Sequence, residues 1–484
     1  MPDISVLSVA SEYWPLVKTG GLADVAGALP AAVAPHGVTM TPFLPGYPGV
    51  MKVLGRKRVL HKYDSLLGSP ARILAAKYDE RPIFILDAPA YFDRDGGPYS
   101  DATGRDWLDN GLRFAAFARA AADLAAGLAG TKPFDVLHAH DWQAGLAPAY
   151  LTYATKTDRR PRTVMTIHNM AFQGAFGADF FHRLDLPPAA FSIEGVEYHG
   201  GVGFLKAGVA LADAITTVSP SYAEEIRRPQ FGMGLEGLIL GRQDRLSGIV
   251  NGIDPAIWNP AHDQALAATF TAETLKKRAA NKRAVETAFG LEPGDGPLFV
   301  VISRLTWQKG MDVLIEVIDH LVGLGGRLAL LGSGDAAIEA GLREAAGRHP
   351  GRIGIRTGYD EALSHLMQAG GDAILVPSRF EPCGLTQLYG LAYGCVPIVA
   401  RTGGLADTVI DANLAAVSAD AATGILFSPL NYEQLAHAIT RAARLYADRP
   451  GWARIQKRGM AADFSWACSG KTYAELYARL REHA

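Results

Sequence analysis

Two cations and one carboxylate carry the strongest chemical signal. Arg304 and Lys309 stand five residues apart in S-R-L-T-W-Q-K-G, and Glu381 stands in P-S-R-F-E-P-C-G-L-T-Q. An arginine offers a planar fork to phosphate oxygens and a lysine a compact charge, so this pair could hold a diphosphate and stabilise it as a leaving group. Glu381 could accept hydrogen bonds from sugar hydroxyls or act on a cationic centre. It could equally be an acid favoured by the dipole of the next helix. A second set lies upstream: Lys18 in K-T-G-G-L-A-D, His138, His140 and Asp141 in H-A-H-D-W, and His168 in T-I-H-N. A lone histidine is more often structural and a lone aspartate more often a cap. The H-x-H-D run is suggestive of a metal, but nothing completes the ligand set, so no metal is expected. Trp142, Tyr99 and Tyr359 could stack on sugar or base rings, with core packing as the default. Cys383 is expected to be a small packed residue whose place beside Glu381 could make it sensitive to alkylation.

These residues need strand ends to gather them. The apolar run 373–376 reads as a buried strand, the pattern 385–393 reads as a helix, and the polar residues fall between them. A strand, a turn and a helix N-terminus together form the usual ligand position of an open α/β sheet, and one that favours anions. In the first half, strands are expected at 4–9, 72–76, 83–86, 136–139, 162–167, 214–218 and 246–250. In the second half they are expected at 298–302, 327–331, 353–356, 373–376, 396–400 and 424–427. Helical patterns at 22–34, 109–128, 361–369, 432–446 and 472–481 alternate with them. The alternation predicts two Rossmann-like α/β halves, with a boundary in the turn-rich stretch 250–283. Residues 18–24 and 401–407 share six of seven positions, K-T-G-G-L-A-D against R-T-G-G-L-A-D. That repeat predicts two similar halves, each with a cation and a glycine turn opening a helix, and a cleft between them that grips one ligand from both sides. The G-x-G-x-x-G spacing is missing, so a nicotinamide cofactor is not expected.

The totals narrow the class. A chain of 484 residues suits two domains or three, and 49% hydrophobic with 20% charged residues is ordinary globular composition. A net charge of −2 gives no electrostatic reason to expect nucleic acid or an anionic membrane. Three cysteines without metal or redox spacing fit a reduced cytoplasm. The alanine-rich stretch 114–128 is broken by Arg119 and Asp123, so no membrane span is expected.

K-T-G-G-L-A-D, H-A-H-D-W, T-I-H-N, F-L-K-A-G, V-N-G-I-D, S-R-L-T-W-Q-K-G, P-S-R-F-E-P-C-G-L-T-Q and R-T-G-G-L-A-D occur in this order. Together they closely resemble the bacterial glycogen synthases and plant starch synthases. The resemblance implies a GT-B type glycosyltransferase: an N-terminal Rossmann-like domain over 1–250, a C-terminal one over 251–460, and a final helix in 461–484 that crosses back to the first. It implies metal-independent transfer of glucose, with retention, from ADP-glucose to the non-reducing end of an α-1,4-glucan. K-x-G-G-L is the family's mark of ADP-glucose use, and the chain lacks the transit peptide of the plant members, which implies the cytoplasmic form. Carried over, Lys18 contacts the donor, and Arg304 and Lys309 hold the diphosphate. Glu381 binds the glucosyl hydroxyls near the reacting carbon, beside the backbone of Cys383, Gly384 and Leu385. His168 and Asp141 line the glucose pocket, Tyr359 lies against adenine, and Tyr99 and Trp142 lie toward the acceptor. Gly20, Gly21, Asp24, Asn169, Asn251 and Thr386 complete the expected substrate contacts. Many retaining transferases carry a second glutamate eight positions after the first, to bind ribose. Here that position is Tyr389. The rivals are a UDP-glucose-using transferase of the same fold, a catalytically silent glucan-binding protein, and an isomerase on the same two-domain fold.

Overall fold

The computed structural model describes residues 3–157 and 159–482. The chain forms two compact units. The first comprises residues up to Asn251 together with those from Trp466 onward, and the second is Gly252–Ser465. Among the described residues, no helix is long and apolar enough to cross a membrane.

The strands of the first unit are, in chain order, β1 (Ile4–Val9), β2 (Val38–Pro45), β3 (Arg58–Leu66), β4 (Ser69–Tyr78), β5 (Arg81–Asp87), β6 (Val136–His140), β7 (Arg162–Ile167), three short strands β8 (Ala175–Phe176), β9 (Glu197–Tyr198) and β10 (Gly201–Gly203), then β11 (Ala214–Thr217) and β12 (Leu246–Gly248). The main sheet is ordered β12-β11-β7-β6-β1-β2-β5-β4-β3. Strands β12 to β5 in that order are parallel, and β4 and β3 extend the sheet antiparallel. Parallel strands covered on both faces read as nearly continuous apolar runs, which is why β1, β6 and β7 are visible in the sequence. Val38–Pro45 is not so visible, because Pro42 and Pro45 argue against an interior strand. Pro42 nevertheless stands in register with Ser8. The order reverses at β1: the chain goes to β2 on one side and to β6 on the other.

The last helix, Trp466–Glu482, packs on the helix Gly21–Val33. The two approach closely because Gly470 has no side chain, and a Cβ there would overlap the Ala32 carbonyl. This helix begins six residues before the expected 472 and belongs to the first unit.

The second unit holds β13 (Leu298–Ile302), β14 (Arg327–Gly332), β15 (Ile353–Thr357), β16 (Ala373–Val376), β17 (Val396–Ala400) and β18 (Ile425–Phe427). They form one parallel sheet ordered β15-β14-β13-β16-β17-β18, the doubly wound order whose switch point lies between β13 and β16. Charges at its amino edge are paired internally. Arg327 is buried against Glu286 and donates to the carbonyls of Glu292, Gly294 and Gly296 at 2.8–2.9 Å. Lys282 Nζ lies 2.6 Å from Asp372 Oδ2. The helix Arg449–Ala461 was not expected from the sequence; Asp448 caps it by accepting from the Gly451 N–H, and Pro450 lies in its first turn, where a missing N–H costs nothing.

The repeated heptapeptide does not mark equivalent places. Lys18 follows β1, the strand at the reversal, whereas Arg401 follows β17, next to the edge strand β18. Both copies open helices, Gly21–Val33 and Gly403–Thr408. Their glycines do different jobs. Gly20 and Gly21 have open space where a Cβ would point. At Gly404 a Cβ would overlap the Cys383 backbone, and Gly403 adopts φ +42° against the Glu381 carbonyl. Gly404→Ala is therefore expected to destabilise the second unit by about 1–3 kcal/mol in urea unfolding. Gly21→Ala should stay within about 1 kcal/mol of wild type; equal effects would contradict this packing difference.

Candidate active site

The second unit brings the diphosphate candidates and the carboxylate together. Arg304 and Lys309 lie on the loop after β13, and Glu381 lies on the loop after β16, so both loops leave the sheet at its switch point. Lys309 Nζ is 2.5 Å from Glu381 Oε2, and Ser378 Oγ donates to the same oxygen at 2.8 Å. Arg304 is exposed and makes no ion pair among the described residues. The two loops are clamped by Arg379, whose guanidinium meets Asp312 at 2.7 Å through both nitrogens and the Trp307 carbonyl at 2.6 Å. The Arg379 N–H also donates to the Gln308 carbonyl at 2.8 Å. Gly310, at φ +69°, lies directly under the Pro377 carbonyl, where a side chain would not fit.

Past Glu381, Cys383 is buried and Gly384 turns the chain at φ +75°. Gln387 Nε2 holds the turn by donating to the Cys383 carbonyl at 3.1 Å and the Gly384 carbonyl at 2.8 Å. Leu385 precedes the helix Thr386–Tyr393. Tyr359 is 73% exposed, with its hydroxyl donating to Glu361 Oε2 at 2.6 Å. Tyr389 stacks on Trp258 with ring centroids 3.5 Å apart.

In the first unit, Lys18 Nζ pairs with Asp24 Oδ1 at 2.7 Å and lies 4.9 Å from the Trp14 ring centroid. Asp141 and His168 follow β6 and β7 and touch each other: the His168 N–H donates to Asp141 Oδ1 at 2.7 Å. Asp141 adopts φ +56°, and burial pushes its carboxyl up to about 7, against the backbone N–H groups of His168 and Asn169 that favour the charged form. His168 Nε2 is 3.0 Å from His140 Nδ1, and His140 Nε2 is 3.2 Å from Ser8 Oγ. Burial holds His168 down to about 3 and His140 well below its ordinary value, so these rings are neutral hydrogen-bonding groups at pH 7. His138 is a separate, structural residue that bridges Tyr477 Oη at 2.8 Å and Thr166 Oγ1 at 2.5 Å. Asn169 Oδ1 closes a local turn with the Ala171 N–H at 3.0 Å. Trp142 is packed against Phe114, Phe176 and Phe204, with centroids 5.1–6.1 Å away, so much of its ring serves the core. Asn251 is buried, and its Oδ1 has no hydrogen-bond partner among the described residues. Among the described residues, no three His, Cys, Asp or Glu side chains cluster as a metal site.

Residues 5–240 match the family described as starch synthase catalytic domain, and residues 283–457 match glycosyl transferases group 1. A glycogen synthase from Novosphingobium aromaticivorans is 67% identical over 99% of both chains. The chain belongs to the glycogen synthase family. A glycogen synthase from Rhizobium rhizogenes is 57% identical, again over 99% of both chains. The catalytic domain of Starch Synthase IV from Arabidopsis thaliana, solved with ADP and acarbose, is 31% identical with a TM-score of 0.88, over 99% of this chain and 100% of that one. Sucrose-phosphate synthase from Thermosynechococcus elongatus, 18% identical with a TM-score of 0.60 over 99% of this chain and 100% of that one, shares the fold. The fold of this glycogen synthase family member is thus the GT-B type of glycosyltransferases.

Sequence reasoning missed Glu12, which accepts four hydrogen bonds in the first unit. It also gave no role to Ser378 or Arg379. Glu12 had one available signal: it follows the carboxyl end of β1, where an acid has no apolar reason to be buried.

Asp141 yields a pH test. Its folded carboxyl titrates near 7 instead of 3.8, so the folded chain holds a proton that the unfolded chain releases across that window. Its contribution to stability therefore falls as pH rises from about 4 to about 7. Asp141→Asn keeps the acceptor oxygen and tolerates a positive φ. Between pH 7 and pH 5, wild type should gain on the order of 2 kcal/mol relative to this variant in urea unfolding. A pH-independent difference would contradict the shifted carboxyl.

Proposed function

We propose that this chain transfers glucose, with retention of configuration, from ADP-glucose to the non-reducing end of an α-1,4-glucan and releases ADP. The observation that carries the reading is the Lys309–Glu381 contact at 2.5 Å beside an exposed Arg304, at the switch point of a doubly wound sheet. Membership of the glycogen synthase family supplies the reaction class. A breaking glycosidic bond develops positive charge on the sugar ring and negative charge on the departing diphosphate. Glu381 supplies the negative charge, and Arg304 and Lys309 the positive. Lys309 neutralises Glu381, and an arriving diphosphate would give that ammonium a second anionic partner. Glu381 Oε2 is engaged by Lys309 and Ser378, which fits a carboxylate that stabilises charge more than one that attacks carbon. Retention then proceeds by same-face attack, with the departing phosphate oxygen taking the acceptor's proton.

Neutral His168 and Asp141, whose carboxyl burial lifts to about 7 so that both of its forms are populated at pH 7, are hydrogen-bonding groups suited to the hydroxyls of a glucosyl ring. Lys18, Gly20, Gly21 and Asp24 are assigned to the donor. The open space over both glycines supports close approach of a ligand to this backbone. Asn251, with an unpartnered buried oxygen among the described residues, is assigned to donor hydroxyls. Thr386 and the backbone of Cys383, Gly384 and Leu385 are assigned to the glucosyl–phosphate region, Tyr359 to the base, and Tyr99, Trp142 and Asn169 to the acceptor side. None of these roles calls for a metal.

The deciding assay measures nucleotide release and chain extension with ADP-glucose or UDP-glucose, with and without glycogen. Glycogen-dependent ADP release is the expected result, with Glu381→Gln lowering kcat by about 10²–10³-fold. A preference for UDP-glucose would overturn the donor assignment, and glycogen binding without turnover of either donor would overturn the enzymatic one.

A further inference from the structure

Glu12 is 3% exposed beneath the loop that carries Lys18, and four donors converge on its carboxylate. The Thr19 N–H reaches Oε2 at 2.5 Å and the Gly20 N–H reaches it at 3.1 Å. Thr19 Oγ1 reaches Oε1 at 2.6 Å, and the Tyr99 hydroxyl reaches the same oxygen at 2.6 Å. No lysine or arginine pairs with Glu12 among the described residues, so its surroundings are these hydrogen bonds and packing. Two of the donors are backbone groups of residues 19 and 20, so the carboxylate fixes the path of the chain between Lys18 and the helix Gly21–Val33. The fourth comes from a different segment. Tyr99 is held there by the Ser11 hydroxyl, 2.7 Å from its own, by Asn110 Nδ2, which donates to its carbonyl at 2.8 Å, and by the Phe114 ring, with centroids 6.0 Å apart. A single carboxylate therefore joins the loop assigned to the donor to the aromatic residue assigned to the acceptor.

We propose that Glu12 is a positioning residue coupling these two elements, so that losing the Tyr99 hydroxyl weakens use of the sugar nucleotide as well as of the glucan. The inference rests on the donor and acceptor assignments of the preceding subsection. Its physical basis is that the backbone N–H groups of Thr19 and Gly20 both end on Glu12 Oε2, while among the described residues nothing lies within 4 Å of where a Cβ of Gly20 or Gly21 would stand. Removing the charge-assisted bond of Tyr99 leaves the carboxylate with its donors from residues 19 and 20, so carboxylate and loop lose their tie to the Tyr99 segment and can shift together.

The test uses the full chain and four proteins: wild type, Tyr99→Phe, Glu12→Gln and the double variant. ADP-glucose is varied at saturating glycogen, then glycogen at saturating ADP-glucose. Tyr99→Phe keeps the ring and is expected to raise the KM for ADP-glucose roughly ten-fold with kcat within about two-fold. Glu12→Gln should raise it further, and the double variant should be no worse than Glu12→Gln alone. If Tyr99→Phe raises only the glucan KM, or if the two changes multiply, the coupling is refuted. Should Glu12→Gln fail to fold, Thr19→Val takes its place in the cycle with the same expectation. Calorimetric binding of ADP alone provides a separate reading. If wild type does not turn over ADP-glucose, the functional assignment falls, yet unchanged ADP affinity in Tyr99→Phe would still refute the coupling and a weakened one would support it.

Discussion

An ammonium and a carboxylate held 2.5 Å apart, with only a small fraction of either side chain exposed, set the requirements for the second unit. Two partly buried charges are costly to desolvate and are tolerated only with good geometry and further hydrogen bonds. Ser378 supplies one such bond, and the Arg379 clamp supplies the geometry. The glycines at 310, 403 and 404 are then demanded by backbone packed against backbone around the two loops. The doubly wound order follows the same need, since only at the reversal do two neighbouring strands send their loops in opposite directions and leave room for polar groups.

The first unit meets a similar demand with hydrogen bonds in place of ion pairs. Glu12, Asp141, His140 and His168 are all buried at the carboxyl ends of β1, β6 and β7, and among the described residues Glu12 and Asp141 touch no lysine or arginine. Backbone N–H groups, hydroxyls and imidazoles satisfy them. By contrast, the amino edge of the second sheet uses direct pairs, Arg327 with Glu286 and Lys282 with Asp372. Charge pairs therefore staple the structural end of that sheet, while much of the polarity at the opposite ends is held by directional bonds that a ligand can rearrange.

Much of this was legible in the sequence, for a physical reason. Parallel strands buried on both faces leave apolar runs, and residues such as Arg304, Lys309 and Glu381 stand out as charge at the ends of those runs. The strand Val38–Pro45 hid behind its prolines, and Arg58–Leu66 behind the polar side chains of an edge strand. The partners of Glu12 and His138 could not be read, because Tyr99 lies 87 residues from the first and Tyr477 lies 339 from the second. The repeated T-G-G-L-A-D misled in a different way. Its composition is that of a glycine turn opening a helix, and that local instruction is obeyed twice, but the fold uses one copy as an open surface and the other as an internal spacer.

The discontinuity of the first unit has a consequence for biosynthesis. Its final helix is Trp466–Glu482, and the whole second unit is translated before that helix emerges. Until then the helix Gly21–Val33 lacks its covering partner, and His138 lacks the Tyr477 hydroxyl at the interior of the sheet. The amino-terminal unit therefore cannot finish its core vectorially, as an uninterrupted domain would. It must wait through the synthesis of its neighbour with an apolar face exposed, so completion of one unit is timed by the full length of the other.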